Sequence, residues 1–312
     1  MNVRHPHRPG SITVVGEALV DIVCDRDGRT TERVGGSPLN VAIGLGRLGR
    51  TVSLVTQLGD DDRGDRIRAH ALGSHVEITA QRVSGGRTST AVATIGEDGA
   101  ATYSFSVGWE ALDTDPPDAS VVHTGSLATF LSPGADDTLE RFGRIRSRAL
   151  TSFDPNVRAQ LVGDVDAYRS RVQAFLRVSD IVKLSDEDAE FLFPGADLDT
   201  VADHILSAGA ALAVVTRGPR GSLLRSRSQR IALAAIGGGI VDTIGAGDSY
   251  MAGLLHSLTD SSASMRDGNS AHDRFNDITV LERAGRFALS CAAVTVRRAG
   301  ADLPWASEMV RA

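Results

Sequence analysis

Between Ser120 and Gly218 the chain repeats one unit, a short β-branched or apolar run followed by a stretch with helical spacing. "SVVHTGS" precedes a helical pattern from about Gly134, and "LTSFDP" precedes one near Val165. "DIVKLS" precedes two that start near Asp186 and Asp199, and "ALAVVTRG" closes the series. The same alternation opens the chain. Ser11 to Val15 reads as a strand, "PLNVAIGLGRLG" as a helix, "TVSLVTQLG" as a strand and "DDDRGDRIRAHALG" as a helix. Strands separated by helices return parallel to one another rather than as hairpins, so the chain is expected to form an α/β fold. Its core is a doubly wound, mostly parallel sheet flanked by helices, with ligands bound beyond the carboxyl ends of the strands.

Two stretches break this rhythm. "ALVDIVCD" and "TTERV" supply strands with no helix between them, and "TSTAVATIGEDGAATYSFSVG" carries a hairpin signal around Glu-Asp-Gly. They predict a small β-sheet lid, built from about 17–34 and 84–110, inserted into a single domain that spans 1–312. Residues 1–10 read as flexible. The polar, aperiodic "TDSSASMRDGNSAHDRFND" reads as a surface loop with no legible site.

Composition removes several function classes. Hydrophobic residues at 42% and charged residues at 23% exclude a disordered body. A net charge of −6 and a pI near 5.8 leave no basic footprint for nucleic acid. No apolar run approaches the ~20 residues that span a bilayer, and "MNVRHPHRPG" lacks the apolar core of a secretory signal, so the expected location is cytoplasmic. Cys24 and Cys291 are too few for a disulfide framework or a four-cysteine zinc site.

Three glycine motifs compete for a nucleotide. "GLGRLG" from Gly44 matches the dinucleotide fingerprint in letters, but it ends a helical run and precedes a strand, the reverse of the required order. Small residues packing close to the sheet explain it. A P-loop needs a lysine after its glycines, and the chain's one lysine, Lys183, has no such loop before it. The third motif is "VDTIGAGDSYMAGLLHSL". Here Gly245, Ala246 and Gly247 open a helix, where bare amides attract an anion, yet Asp248 follows at once. Phosphoryl transfer reconciles the two, because it needs amides for the moving group and a base for the attacking hydroxyl. The alternative is a glycine turn with Asp248 as a first-turn capping acid.

"GGSPLNVAIGLGRLG" and "DTIGAGDSYMAGLL" resemble the two signatures of the ribokinase-like, or PfkB, sugar kinases. "GEALVDIV", "FDPNVR", "KLSDEDAEFLF", "VVTRGPRGSLL" and "RFALSCAAVTVRRAGA" follow in that family's order, so the resemblance covers nearly the whole chain. "GEALVD", "GGSPLN" and "FDPNVR" are most similar to fructokinases.

The resemblance implies a role for each matching residue. Asp248 would be the general base, and the amides of Gly245, Ala246 and Gly247 the anion hole. Asp21, Gly35, Gly36 and Asn40 would hold sugar hydroxyls. Thr216, Gly218 and Gly221 match the nucleotide-side Thr-x-Gly-x-x-Gly. Asp242, with carbonyls near Val294 and Arg297, stands where some members hold a monovalent cation such as K⁺. Many members carry Asn-x-x-Glu where this chain has Ser185 and Asp188. Water-mediated Mg²⁺ binding at Asp188 competes there with simple helix capping. Lys183 falls in a family motif, and a phosphate or substrate role competes with a strand-end surface lysine.

The cofactors implied are ATP and Mg²⁺, and the acceptor is the open question. Relatives that phosphorylate 2-keto-3-deoxygluconate carry an aromatic-x-Arg pattern in the lid hairpin. This chain reads Tyr103-Ser104-Phe105. Arg158 remains, but fructokinases carry an arginine there too. A neutral ketohexose, fructose first, is therefore expected, with Phe105 and Trp109 offering apolar faces and Arg158 reaching a hydroxyl or the transferred phosphate. Ribose and nucleosides stay open as alternatives, and so does a catalytically silent sugar-binding regulator. The lid's exposed edges predict a homodimer.

Overall fold

The computed structural model describes residues 10–96, 101–259 and 273–309. The expected Glu-Asp-Gly turn, the flexible segment 1–9 and most of the polar loop lie outside them. A nine-stranded sheet forms the body. Its strands are β1 (Ile12–Val15), β4 (Val52–Leu58), β5 (Val76–Arg82), β8 (Val121–Gly125), β9 (Leu150–Asp154), β10 (Ile181–Ser185), β11 (Leu212–Thr216), β12 (Ser222–Ser226) and β13 (Arg230–Leu233). They run in the order β13-β12-β11-β10-β9-β8-β1-β4-β5. All neighbours from β11 to β5 are parallel, and β12 and β13 turn back antiparallel at one edge.

Both faces of this sheet are covered, which is why its strands read as nearly unbroken apolar runs. Successive residues go to opposite sides. Val214 joins the layer under α1 (Ser37–Arg47), α7 (Ala246–Leu258) and α8 (Ile278–Thr295). Val215 joins the layer under α4 (Val165–Arg177), α5 (Asp186–Leu192) and α6 (Leu198–Ala208). Helix α1 is buried along most of its length, including Gly44 and Gly46. A methyl group on Gly44 would lie 2.7 Å from Ala252 of α7 and one on Gly46 2.3 Å from Ser74 O, so these two glycines of "GLGRLG" serve close packing, whereas Gly49 lies in open space.

The lid is a separate four-stranded sheet of β2 (Leu19–Cys24), β3 (Thr30–Gly35), β6 (Thr90–Ile95) and β7 (Ala101–Ser106), in the order β3-β2-β6-β7. Val20 and Ile22 point from one face into the core beside Ile67 of α2 (Asp62–Gly73). Arg63 of α2 holds that side by donating from Nε to Glu32 Oε1 at 3.1 Å. The other face carries Asp21, with Arg33 and Ala91 directly across from it and Phe105 one strand further.

The sheet ends at Ser106, and Trp109 corrects one expectation. It is fully buried against the body, with Nε1 donating to Thr138 Oγ1 at 2.9 Å, so it offers no face to a ligand. Among the described residues no helix is long and apolar enough to cross a membrane.

Candidate active site

Asp248 stands in the first turn of α7, beside the start of α1. Its Oδ1 accepts from Ser37 Oγ at 2.7 Å and its Oδ2 from Asn40 Nδ2 at 2.8 Å. Two helices from opposite ends of the chain therefore fix one carboxylate, which is only 7% exposed. The expected Asn40 is there. Ser37 was not expected, although it lies inside the quoted "GGSPLN" and its hydroxyl at the start of a helix is a signal that could have been read.

Gly35 and Gly36 lead into α1, with Gly36 at its N-cap. Asp21 approaches Gly35 so closely that a methyl group there would lie 2.2 Å from its Oδ2. Burial raises the Asp21 carboxyl, Arg158 opposes that, and Asp248 adds to it. The two aspartates are therefore near enough for the charge of one to act on the other. Arg158 is half-buried and donates from Nη1 to Asn156 Oδ1 at 2.7 Å. Tyr103 and Phe105 stack with ring centres 6.3 Å apart on the lid face that carries Asp21, but Tyr103 is 53% exposed.

The loop expected to receive an anion leads directly into α7. Gly245 caps α7 in the left-handed region, at φ 77°, and a methyl group there would lie 2.6 Å from Ala301 Cβ, so only glycine fits. No side chain caps this helix among the described residues; the Ala246 amide donates to Thr243 O at 3.2 Å, and the amides of Gly247 and Asp248 at the opening of the helix are the ones placed to meet an anion. Asp242 ties the loop from behind. Its Oδ1 accepts from the Ile244 amide at 3.0 Å and its Oδ2 from the Gly300 amide at 2.8 Å, and these bonds hold its carboxyl below the usual range. Each oxygen thus holds one backbone amide, which ties the loop to the segment around Gly300.

Lys183 is no surface residue. It lies buried in β10, with Nζ 2.7 Å from Oδ2 of Asp154 on β9. Burial pushes Asp154 up to about 6 against the pull of Lys183. Burial would lower Lys183, but Asp154, Asp188 and Asp248 outweigh it and hold the ammonium charged. A methyl group on Gly247 would lie 3.0 Å from Nζ, so the ammonium sits against the anion loop.

Ser185 caps α5 and accepts from the Asp188 amide at 2.9 Å. Asp188 returns the bond, accepting from the Ser185 amide at 2.9 Å through Oδ2 and from the Val157 amide at 2.9 Å through Oδ1. This is the capping arrangement. Each oxygen thus already holds one amide, as a cap requires, and the described residues hold no cluster of three acidic, His or Cys side chains suited to a metal.

Thr216 ends β11 directly beside Ser185. Gly218 and Gly221 form the turn that follows, and a methyl group on Gly221 would meet Leu233 O at 1.9 Å, so this turn packs on the 234–245 loop. That loop presents four exposed apolar residues, Ile236, Ile240, Val241 and Ile244. They were not anticipated, although aliphatic residues among glycines in "AIGGGIVDTI" are the available signal. Glu17 was missed as well. It is 3% exposed, close to Ser126 and Arg158, and burial pushes its carboxyl up to about 7. A cavity of about 720 Å³ beside Ala210, Ala211 and Arg225 at the amino end of β11 touches none of these residues.

The family profile for pfkB family carbohydrate kinases matches residues 10–308. The chain belongs to that family. It is an ATP-dependent sugar kinase with the ribokinase-like fold. A fructokinase from Klebsiella pneumoniae is 31% identical over 317 aligned residues, covering 97% of this chain and 99% of its own length. The crystal structure of a fructokinase from Xylella fastidiosa with bound ATP superimposes with a TM-score of 0.85 at 26% identity, covering 97% of this chain and 98% of that one. An aminoimidazole riboside kinase from Salmonella enterica superimposes with a TM-score of 0.81 at 23% identity, covering 96% and 99%. The fold is thus shared by kinases with different acceptors.

Proposed function

We propose that this kinase transfers the γ-phosphoryl group of MgATP to a hydroxyl of fructose. One observation carries the reading. Asp248 is held by Ser37 and Asn40 in the same turn whose amides face an anion. Asp248 accepts the proton of the sugar hydroxyl as its oxygen attacks the γ-phosphorus, and ADP leaves from the opposite side. The Gly247 and Asp248 amides bear the charge of the group in flight. Asp21, Asn40 and the backbone at Gly35 and Gly36 hold the sugar's other hydroxyls, and Arg158 stands close enough to Asp21 to bind the acceptor or its phosphate.

Magnesium, when bound with the nucleotide, would neutralise charge on its phosphates, and Asp188 would reach it only through water. Ser185 and Asp188 shape the start of α5, and Thr216, Gly218 and Gly221 border the nucleotide. Ile240 and Val241 supply an apolar surface beside the anion loop for the base. Asp242 braces that loop, and with backbone carbonyls near Val294 and Arg297 it would be the place for a monovalent cation such as K⁺ behind the amides.

Fructose is favoured over an acidic sugar because Ser104 stands between Tyr103 and Phe105, where an arginine would be needed to fork onto a carboxylate. The similarity to fructokinases over nearly full length supports the same choice. We also propose a cytoplasmic homodimer through the lid, supported by the exposed Val23 and Tyr103 and the open edge of β7. A monomeric mass by light scattering at micromolar concentration would contradict the dimer.

The kinase reading is tested by coupling ADP release to NADH oxidation with fructose and MgATP. Fructose-dependent ADP release, matched by fructose phosphate formed, is expected. Tight fructose binding without ADP release would instead identify a silent sugar-binding regulator.

A further inference from the structure

Asp154 has no role in the proposed chemistry, yet it is completely buried beneath the site. We propose that Asp154 is a positioning residue that fixes the Lys183 ammonium against the anion loop, so that Lys183 acts as a preset positive charge behind the transferred phosphoryl group. The inference rests on the phosphoryl-transfer reading of the 245–248 turn. It adds the reason for a buried ion pair that this reading does not use.

The geometry is specific. Asp154 ends β9 and Lys183 lies mid-strand on β10, so the two side chains rise side by side from adjacent strands of the central sheet. Asp154 is itself oriented, because its Oδ1 accepts from the Asn156 amide at 3.2 Å while Oδ2 takes Lys183 at 2.7 Å. A lysine stem has four rotatable bonds and a compact charge, so without a fixed partner it would spread over several positions. Here the partner directs Nζ to Gly247, in the first turn of α7.

Stability does not explain the pair. Apolar side chains of similar volume commonly stabilise such a position as well as a buried ion pair does. A charge beneath amides that receive a phosphate does have a use, because fixed positive charge in a water-excluded site strengthens as negative charge develops. The neighbouring groups leave that charge in place. His123, the nearest titratable group on β8, is pushed by burial down to about 3 and stays neutral, with Nδ1 3.2 Å from Ser152 Oγ. Asp188 and Asp248 also face Lys183 and favour its charged form.

The test is a double-mutant cycle in the full-length protein with Asp154→Asn, Lys183→Met and the double variant. For each, kcat and KM are measured with fructose and MgATP, and the Kd of ADP by calorimetry. Asp154→Asn is expected to lower kcat roughly tenfold with KM for fructose within about twofold, and Lys183→Met to lower it at least as far. The double variant should be no slower than Lys183→Met, because Asp154 acts only through Lys183.

Losses that multiply in the double variant, or a kcat for Asp154→Asn equal to wild type, would overturn the proposal. If Asp154→Asn does not fold, Asp154→Glu keeps the charge but displaces it by one methylene. It should lower kcat while leaving the fructose KM unchanged, and full activity in it would overturn the positioning role. Absence of fructose turnover in the wild type would sink the fructose reading alone. The ADP Kd then decides this proposal separately, because Lys183→Met and Asp154→Asn must both weaken ADP binding if Lys183 is held toward the phosphates.

Discussion

The proposed acceptor half and the proposed nucleotide half of the site are built from different materials. On the acceptor side, polar side chains hold one another in place: Ser37 and Asn40 fix Asp248, and Asp21 lies against Gly35. On the nucleotide side, the work falls to backbone and aliphatic surface, with the amides of Gly247 and Asp248, the turn at Gly218–Gly221 and the exposed Ile240 and Val241. Side chains with fixed partners discriminate among sugars that differ by one hydroxyl, because a wrong sugar leaves a buried polar group unpaired. Amides and aliphatic faces bind a phosphate chain and a flat base with little demand on side-chain identity. Substitutions in the first half should therefore act on turnover and acceptor choice, and those in the second on nucleotide affinity and on local folding.

The sharpest way to break this contrast is Asp248→Asn. It should lower kcat by roughly 10²-fold or more while the affinities for fructose and ATP hold, because the charge and basicity are lost but the shape is kept. Retention of most of the activity in steady-state assays would remove Asp248 as the base.

The nucleotide half should instead respond to backbone strain. Gly221→Ala puts a methyl group against Leu233 O at a residue with φ 87°, so it should cost about 1–3 kcal/mol in urea unfolding and raise the KM for ATP more than that for fructose. A fructose-specific defect would contradict the division.

Glu17 sharpens the acceptor half through pH. Its carboxyl has a folded pKa near 7, above the ordinary 4.5, because burial penalises the charged form. The folded state then binds more protons than the unfolded chain between those values, so Glu17 lowers stability as pH rises through that window. Glu17→Gln removes the penalty, and its stability relative to wild type should improve by about 2 kcal/mol between pH 5 and pH 8. Equal unfolding midpoints at both pH values would show that Glu17 stays ionised. The smallest effect is expected at Val241→Ser. This residue is exposed, so the melting temperature should hold while the KM for ATP rises about threefold, and an unchanged KM would place the base elsewhere.

What the sequence disclosed follows the same division. The alternation of apolar runs and helical stretches is a local signal, and the central strands and buried helices follow from it. Strands β5, β12 and β13 went unread because polar residues interrupt "VEITAQR" and "RIAL" at the two edges of the sheet and "SLLRS" next to one of them. Among site residues, Asp248, Asn40 and the 245–247 loop were legible from ordered motifs.

Contacts set by strand order were not. Nothing in "FDPNVR" and "KLSDED" shows that β9 and β10 lie side by side, so Lys183 could equally be read as a surface residue and Asp154 received no role. Trp109 failed for a similar reason. It follows the hairpin closely enough to pass for part of the lid, but the chain has already returned to the body by that point.

The central claim is that the acceptor half is shaped for a neutral ketohexose. It is tested most directly by comparing kcat/KM for fructose, ribose, 2-keto-3-deoxygluconate and adenosine under one set of conditions. A preference for fructose over each of the other three by at least roughly tenfold is the predicted result, since a single mismatched polar contact is worth about that much or more. A preference for 2-keto-3-deoxygluconate would contradict it, because a lid with Ser104 between Tyr103 and Phe105 offers that carboxylate no arginine.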